Sequence, residues 1–99
     1  MRLAVPSQQV NLPRIGTKIH VCLLAIAREY PRKVSSGEIA HITRFQAKDT
    51  ASLMGTLMAR GLLARVEERR GMPGGSIWEL TPRAIELLDA KRRSLRRRE

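Results

Sequence analysis

The sequence predicts an α+β fold that is mainly helical, with a three-helix core, a β-hairpin and a C-terminal helix. Three observations support this prediction. Ser35 and Glu38 have the S-x-x-E spacing of a capping box, which marks the start of a helix. Apolar residues recur at three- and four-residue steps before and after this box, as on the buried face of a helix. A glycine-rich segment at residues 71–75 separates two short stretches that can be extended, which is typical of a hairpin.

Length and composition limit the class of protein. With 99 residues the chain is expected to form one domain. Its few aromatic residues are Tyr30, Phe45 and Trp78, so aliphatic side chains must fill the core. No segment approaches the roughly 20 apolar residues of a membrane span, and the N-terminus lacks the apolar stretch of a secretory signal. The single cysteine, Cys22, fits a reducing compartment, so we expect a cytoplasmic protein, associated with the nucleoid if it is bacterial.

The chain carries a large excess of positive charge. Lys and Arg total 19 against 9 Asp and Glu, which leaves a formal net charge of +10. Six of these basic residues form a tail within the last nine positions: Lys91, Arg92, Arg93, Arg96, Arg97 and Arg98. Such an excess indicates a polyanionic partner, either nucleic acid or an anionic membrane surface.

The N-terminal part predicts an arm followed by a helix. Residues 1–16 contain two prolines and no helical period, so we expect an extended or disordered arm. Thr17 caps a helix over residues 18–30, which Pro31 ends because the residue before a proline is disfavoured in the α region. The apolar positions of this helix are Ile19, Cys22, Leu23, Ile26, Ala27 and Tyr30. Residues 34–35 can form a very short strand.

The central part predicts two helices joined by a tight turn. The capping box starts a short helix that ends near Ile42 or Thr43, and its apolar side is Ile39, Ala40 and Ile42. A second helix fits residues 47–60. Its predicted buried face is Ala47, Ala51, Met54, Leu57 and Met58, and its opposite face is Lys48, Asp49, Ser52, Gly55, Thr56 and Ala59. This order is that of a helix-turn-helix, whose second helix enters the DNA major groove. The alternative is an ordinary pair of core helices.

The C-terminal part predicts a hairpin. Gly61 fits a left-handed cap at the end of the second helix. Residues 62–68 and 76–80 then predict two strands around a turn at residues 69–75. The residues of the second strand that are expected to face inward are Trp78 and Leu80.

A last helix is predicted after the hairpin. Thr81 serves as its cap and Pro82 as its first residue. Its apolar residues are Ala84, Ile85, Leu87, Leu88 and, at its end, Leu95. The predicted organisation is an N-terminal arm at 1–16, a folded domain at 17–90 and the basic tail at 91–99.

One segment, MARGLLARVEERRGMPGGSIWELTPRAIELL, resembles part of MarR-type and related winged-helix transcriptional regulators. In these proteins a recognition helix ends at Gly-Leu, a basic hairpin follows, and Leu-Thr opens the next helix. The matching residues here are Gly61, Leu62, Arg65, Leu80 and Thr81. The resemblance covers residues 17–90 and implies a winged helix-turn-helix fold. It also implies a transcriptional regulator that binds specific double-stranded DNA as a homodimer, with the helix 47–60 in the major groove.

Two features depart from that pattern. Arg83 and Ala84 stand where these regulators often have a glycine. The long flanking helices through which full-length MarR proteins dimerise have no counterpart here, so we do not expect dimerisation through such helices.

The resemblance implies a set of residues that contact base edges: Gln46, Lys48, Asp49, Ser52 and Thr56. A glutamine amide can bind adenine through two hydrogen bonds, and hydroxyl groups can contact any base. Asp49 has three possible roles, which are to accept from cytosine, to pair with Lys48 or to favour the helix N-terminus, and we prefer the last. Gly55 would let the backbone approach the duplex, or would allow close packing with another helix.

A second set is expected to contact the DNA backbone or the minor groove: Lys33, Arg44, Arg65, Arg69 and Arg70. Such contacts position a protein without specifying a sequence. The alternative for the hairpin tip is a solvated basic loop. The basic tail could bind phosphate, could bind RNA or could serve only to keep the protein soluble.

No enzymatic chemistry is expected. His20, Cys22 and His41 could suggest a metal site, but His20 and Cys22 lie two residues apart on a helix and point in different directions. No catalytic triad or phosphate-binding loop can be placed, so we expect no catalytic residue, metal or cofactor, and no membrane partner. The alternative function is a winged-helix interaction or RNA-binding subunit of a larger nucleoprotein complex, with the basic tail as the main contact.

Overall fold

A computed structural model describes residues 12–68 and 75–97 of the chain. The elements within these ranges follow the order α1 (Lys18–Glu29), β1 (Val34–Ser35), α2 (Ser36–Thr43), α3 (Ala47–Ala59), β2 (Leu63–Glu67), β3 (Ile77–Leu80) and α4 (Pro82–Arg97). The predicted α+β class, mainly helical, is confirmed, and the arrangement is winged-helix-like. The helices α1 and α3 each end one residue earlier than the sequence predicts.

Side-chain hydrogen bonds fix the start of the first two helices. The hydroxyl of Thr17 accepts from the backbone N–H of His20 at 3.3 Å. The predicted capping box is present: Ser35 Oγ accepts from the N–H of Glu38 at 3.1 Å, and Glu38 Oε1 accepts from the N–H of Ser35 at 3.0 Å. These bonds satisfy backbone donors that the helix itself leaves free.

The three described strands form an antiparallel sheet in the order β1-β3-β2. Val34 of β1 lies opposite Trp78 of β3, and Arg65 of β2 lies opposite the same tryptophan. The register then shifts between Arg65 and Glu67, so Val66 is an extra residue on β2, which is a β-bulge. Because of the bulge, successive side chains of β2 do not alternate strictly between the two faces of the sheet. The Val66 side chain is exposed.

The core lies between α1, α2, α3 and the sheet. α1 packs on both α2 and α3, whereas α4 contacts the domain chiefly through β3. The largest hydrophobic side chains that are fully buried are Leu23, Ile26, Ile39, Met54, Leu57, Leu62, Leu63 and Val34. Trp78 and Leu80 face inward, as predicted, and Leu12 packs against the core from before α1. Aliphatic residues therefore form most of the core, which is consistent with the low aromatic content.

The predicted buried face of α3 is wrong in part. Met54 and Leu57 are buried, but Ala47 and Ala51 are exposed, and Thr50 is fully buried instead. The hydroxyl of Thr50 donates to the carbonyl oxygen of Gln46 at 3.0 Å, so this polar side chain can be buried without leaving its donor unsatisfied. Met58, also predicted to face inward, is 37% exposed. Compared with the predicted face, the inward face of α3 is thus rotated toward Thr50 and Leu53.

Two further apolar predictions are corrected. The sequence predicts Ile42 on the apolar side of α2, but it is 44% exposed because Ile39 and Ala40 form the inward side of this short helix. The sequence also predicts Tyr30 on the apolar face of α1, but it is 52% exposed. Tyr30 follows the last helical residue and has non-helical backbone angles, with φ −56° and ψ 136°, so its side chain does not lie on the helical face of Ile26.

Candidate nucleic-acid interface

The end of α3 is fixed by a left-handed cap. Gly61 has a φ of +80°, as its predicted role as a cap requires. Its N–H donates to the carbonyl oxygen of Met58 at 2.9 Å, and the N–H of Leu62 donates to that of Leu57 at 3.0 Å. This pair of bonds is a Schellman motif, and the burial of both Leu57 and Leu62 is the hydrophobic contact that accompanies it.

Thr81 joins the end of α3 to the start of α4. Its hydroxyl donates to the carbonyl oxygen of Gly61 at 2.7 Å and accepts from the N–H of Ala84 at 3.1 Å. Its own N–H donates to the carbonyl oxygen of Leu62 at 3.2 Å. One threonine therefore caps α4, as predicted, and also ties it to the segment that terminates α3.

The turn between α2 and α3 contains Arg44 in a left-handed conformation, with φ +66° and ψ +20°. This conformation costs a residue with a Cβ roughly 1–2 kcal/mol. Thr43 stabilises the turn, because its hydroxyl donates to the carbonyl oxygen of Ile39 at 2.7 Å and accepts from the N–H of Phe45 at 3.3 Å. The side chain of Arg44 is exposed.

All five side chains predicted to contact base edges are exposed, and all lie on α3 or at its first cap: Gln46, Lys48, Asp49, Ser52 and Thr56. Gln46 is the N-cap residue, but its side chain makes no capping hydrogen bond, which leaves the amide available. Asp49 lies in the first helical turn, where a negative charge favours the helix dipole. Thr56 donates to the carbonyl oxygen of Ser52 at 3.1 Å.

Gly55 lies within this exposed polar surface. A Cβ placed on it would have no neighbour within 4 Å apart from the helix's own backbone. Close packing against another helix, one of the two explanations for this glycine, is therefore excluded for the described part of the chain. The surface around Gly55 is open, and its backbone can be approached from outside.

The sheet places two predicted phosphate ligands on opposite edges of β3, and both have acidic neighbours. Lys33, just before β1, has its Nζ 3.8 Å from Glu79 Oε1. Arg65, on β2, has its guanidinium 3.2 Å from Glu68 Oε1 and lies over the Trp78 ring, 5.2 Å from the centroid. Exposed ion pairs of this kind contribute about 0–1 kcal/mol to stability, so a DNA phosphate could replace the carboxylate in either pair. Arg69 and Arg70 lie outside the described residues.

The basic tail continues α4, which extends to Arg97. The side chains of Lys91, Arg92 and Arg93 are exposed. These cations therefore project from a regular helix that is joined to the folded domain.

A buried hydrogen bond that the sequence did not predict fixes the hairpin to α2. The indole N–H of Trp78 donates to Ser36 Oγ at 2.8 Å, and both residues are buried. The two residues lie 42 positions apart, and the only sequence signal was a second serine beside the cap residue Ser35. Sequence reasoning also missed Arg32, whose guanidinium pairs with Glu29 at 2.8 Å and with Glu38 at 2.9 Å.

Within the described ranges there is little support for a reactive thiol, a metal site or a membrane-spanning helix. Cys22 is fully buried, and desolvation raises the pKa of its thiol to about 11, so the thiol remains protonated at neutral pH. Within residues 12–68 and 75–97, no three His, Cys, Asp or Glu side chains group closely enough to hold a metal ion. No helix in the same ranges has the length and hydropathy needed to cross a membrane.

No protein-family model matches this chain, and a search of curated proteins found no similar sequence.

Proposed function

We propose that this protein binds specific double-stranded DNA and acts as a transcriptional regulator of the winged-helix type, related in design to MarR-type proteins. The observation that carries the proposal is the exposed polar surface of α3 around Gly55. It combines a free amide at Gln46, a cation at Lys48 and hydroxyl groups at Ser52 and Thr56 with an unobstructed backbone. A helix with such a surface can enter the major groove and contact base edges.

Positive charge supports the same proposal. The net charge of +10 favours association with the phosphate backbone. Arg44, in the turn before α3, is exposed and has no ion-pair partner among the described residues. Its position beside the N-terminus of α3 would bring it to a phosphate next to the bases that α3 contacts. The hairpin, with Arg65 on β2 and with Arg69 and Arg70 predicted at its tip, would contact the flanking backbone or minor groove.

We further propose that two copies act together on a pseudo-palindromic site. The net charge opposes association of free copies, and DNA phosphate would neutralise that charge. Half-sites contacted by two α3 helices would lie about one helical turn, roughly 34 Å, apart. A nuclease footprint that covers only one half-site at saturation would contradict this part of the proposal.

The first test measures how binding to duplex DNA depends on salt. Fluorescence anisotropy with a labelled random-sequence duplex should give an affinity that falls steeply with salt, by about 0.9 in log slope for each phosphate contacted. Replacing Arg69 and Arg70 with alanine should reduce the magnitude of that slope by about 1.8, which corresponds to the loss of two phosphate contacts. A flat salt response, or an unchanged slope in this variant, would contradict the proposal.

The second test distinguishes DNA contacts made by α3 from the general effect of positive charge. Lys48→Gln on α3 is compared with Arg83→Gln, which removes one exposed charge at the start of α4. Lys48→Gln should weaken binding several-fold more than Arg83→Gln. Equal effects would show that α3 does not face the DNA.

The alternative, an RNA-binding or interaction subunit, is tested through the tail. Because α4 continues to Arg97, truncation after Ala90 would remove part of a helix. Substituting glutamine for Lys91, Arg92, Arg93, Arg96 and Arg97 keeps a good helix former at each position. Retained duplex binding supports the proposed function, whereas loss of all binding, together with competition by structured RNA in the unmodified protein, supports the alternative.

A further inference from the structure

α1 and α4 enclose a groove that the proposed function does not use. Its volume is about 580 Å³. Its apolar floor consists of Leu24 and Ala27 from α1, Leu80 from β3, and Ile85 and Leu88 from α4. None of these residues belongs to the surface of α3 or to the hairpin tip, so the floor of the groove is separate from the residues proposed to contact bases.

The floor of the groove is partly exposed to solvent. Leu24 is 39% exposed, and Ile85 and Leu88 are only half-buried. Since α4 contacts the domain chiefly through β3, its side toward α1 is only partly covered. The groove follows α4 from Ile85 to Arg92, which at 1.5 Å per residue is about 10 Å, or two turns of a docked helix.

Positive charge surrounds this apolar floor. Arg28 from α1 and Lys91 and Arg92 from α4 line the groove, against a single acidic residue, Asp89. None of the three cations makes an ion pair within the part of the chain that the structure describes. An occupant with negative charge beside an apolar face would therefore complement both the floor and its rim.

We infer that this groove binds an amphipathic helix of another protein, one that inserts apolar side chains at i, i+3 or i+4 and i+7 and carries Asp or Glu beside them. A nucleic acid would match the rim but not the apolar floor. A second copy of this chain would bring another basic α4 against Lys91 and Arg92, which is electrostatically unfavourable. The inference does not depend on DNA binding, since both the groove and its test are separate from α3.

The test begins with a displayed library of helical peptides that keep apolar anchors at these spacings and vary every flanking position. Selection against the full chain should enrich Asp and Glu at the flanks. The best peptide is then made with a fluorescent label, together with a version that has Lys in place of each acidic residue and a version of scrambled order. Only the acidic, ordered peptide should bind tightly. No enrichment, enrichment of basic flanks, or equal binding of the scrambled peptide would overturn the inference.

Matched variants locate the binding site. Leu24→Asp should weaken binding of the selected peptide about tenfold or more, as for an apolar anchor contact. Val21→Asp is the control, because Val21 is also on α1 and is 38% exposed but does not line the groove. Arg92→Glu should likewise weaken binding more than Arg93→Glu, its exposed neighbour outside the groove. Equal effects within both pairs would overturn the inference.

Two measurements complete the test. Circular dichroism melting checks that Leu24→Asp folds, and if it does not, the arginine pair decides the question, because both arginines are exposed. Sedimentation velocity of the free protein examines self-association. A dimer that Leu24→Asp converts to a monomer would show that a second copy occupies the groove, which would overturn the inference.

Discussion

Trp78 of β3 donates its indole N–H to the hydroxyl of Ser36, the first residue of α2, at 2.8 Å. The bond is buried and joins the hairpin to the helix that precedes the turn to α3. β1 and β3 are paired at the same place, with Val34 opposite Trp78. The hairpin is therefore held to β1 by backbone pairing and to α2 by a side-chain hydrogen bond.

Ser36→Ala should destabilise the fold by about 1–3 kcal/mol, because it leaves the buried indole N–H of Trp78 without an acceptor. Urea unfolding followed by circular dichroism measures this effect. Ser52→Ala is the control, since Ser52 is exposed on α3. In the Trp78→Phe background the cost of Ser36→Ala should fall, because the donor is then absent. An undiminished cost in that background would show that the hydrogen bond is not its source.

Thr81→Val should lower the free energy of unfolding by about 1–2 kcal/mol, because it removes the cap of α4 and the bond to Gly61 while keeping the shape of the side chain. Thr81→Ser, which retains the hydroxyl, should lose much less. Urea unfolding of both variants checks this prediction. Equal stability of the two variants would mean that the hydroxyl contributes nothing.

Glu38 should make stability depend on pH in the acid range. The hydrogen bond from the Ser35 N–H, with Arg32 adding to it, holds the pKa of Glu38 below its ordinary value of 4.5. The folded state therefore favours the carboxylate, so its contribution is complete above pH 4.5 and is lost as the pH falls through the folded pKa. Glu38→Gln keeps an acceptor for the cap but removes this dependence.

The measurement is urea unfolding of the unmodified protein and Glu38→Gln at a series of pH values from about 6 to about 3. The stability difference between them should shrink toward the acid end. Glu86→Gln is the control, since Glu86 is 71% exposed and pairs with its helical neighbour Arg83. A difference that does not change with pH would contradict the prediction.

Arg44 should show opposite effects on stability and on DNA binding. Arg44→Gly relieves a left-handed conformation that costs roughly 1–2 kcal/mol, and the greater freedom of glycine in the unfolded chain offsets about half of this gain. Thermal unfolding should therefore show a slightly more stable protein. On the proposed function, its affinity for duplex DNA should nevertheless fall several-fold, because the guanidinium is lost.

Arg44→Ala separates these two effects. It removes the guanidinium but keeps the Cβ that disfavours the left-handed conformation, so its stability should stay near that of the unmodified protein. Its loss of DNA affinity should match that of Arg44→Gly. If both variants bind DNA normally, Arg44 does not contact phosphate.

Gly55→Ala distinguishes an open helix surface from a packed one. Alanine is a better helix former than glycine by about 1 kcal/mol, and a Cβ meets no neighbour here, so the free protein should become more stable. If α3 approaches the duplex closely at this point, the added methyl group should weaken DNA binding. Unfolding by urea and anisotropy with a duplex measure the two effects on the same sample.

The sequence predicted the elements of this fold well because their ends depend on local chemistry. The capping box at Ser35, the left-handed cap at Gly61 and the Thr81-Pro82 pair each act within a few residues. The buried side of α3 was harder to predict. Alanine forms helices equally well on the buried and the exposed side, so Ala47 and Ala51 carried little information about which side of α3 faces the core.

The remaining differences concern polar side chains that are buried because they find hydrogen-bond partners. Thr50 is buried because its hydroxyl finds an acceptor on its own helix, and Ser36 is buried because Trp78 reaches it from a distant strand. The contact between Ser36 and Trp78 does not follow from spacing in the sequence. The candidate interface was predictable as the polar side of α3, whereas the groove between α1 and α4 was not, since it arises only when two distant helices are placed side by side.

The bonds from Thr81 to Gly61 and Leu62 have a consequence for how this molecule can be observed. They join the segment that ends α3 to the first turn of α4, so a displacement at the end of α3 would be transmitted to the start of α4. The 16 residues of α4 extend about 24 Å, so a tilt of ~10° at the joint moves the far end by about 4 Å. α4 would thus amplify a small change in the direction of α3, and a fluorophore at Ser94 would report that change.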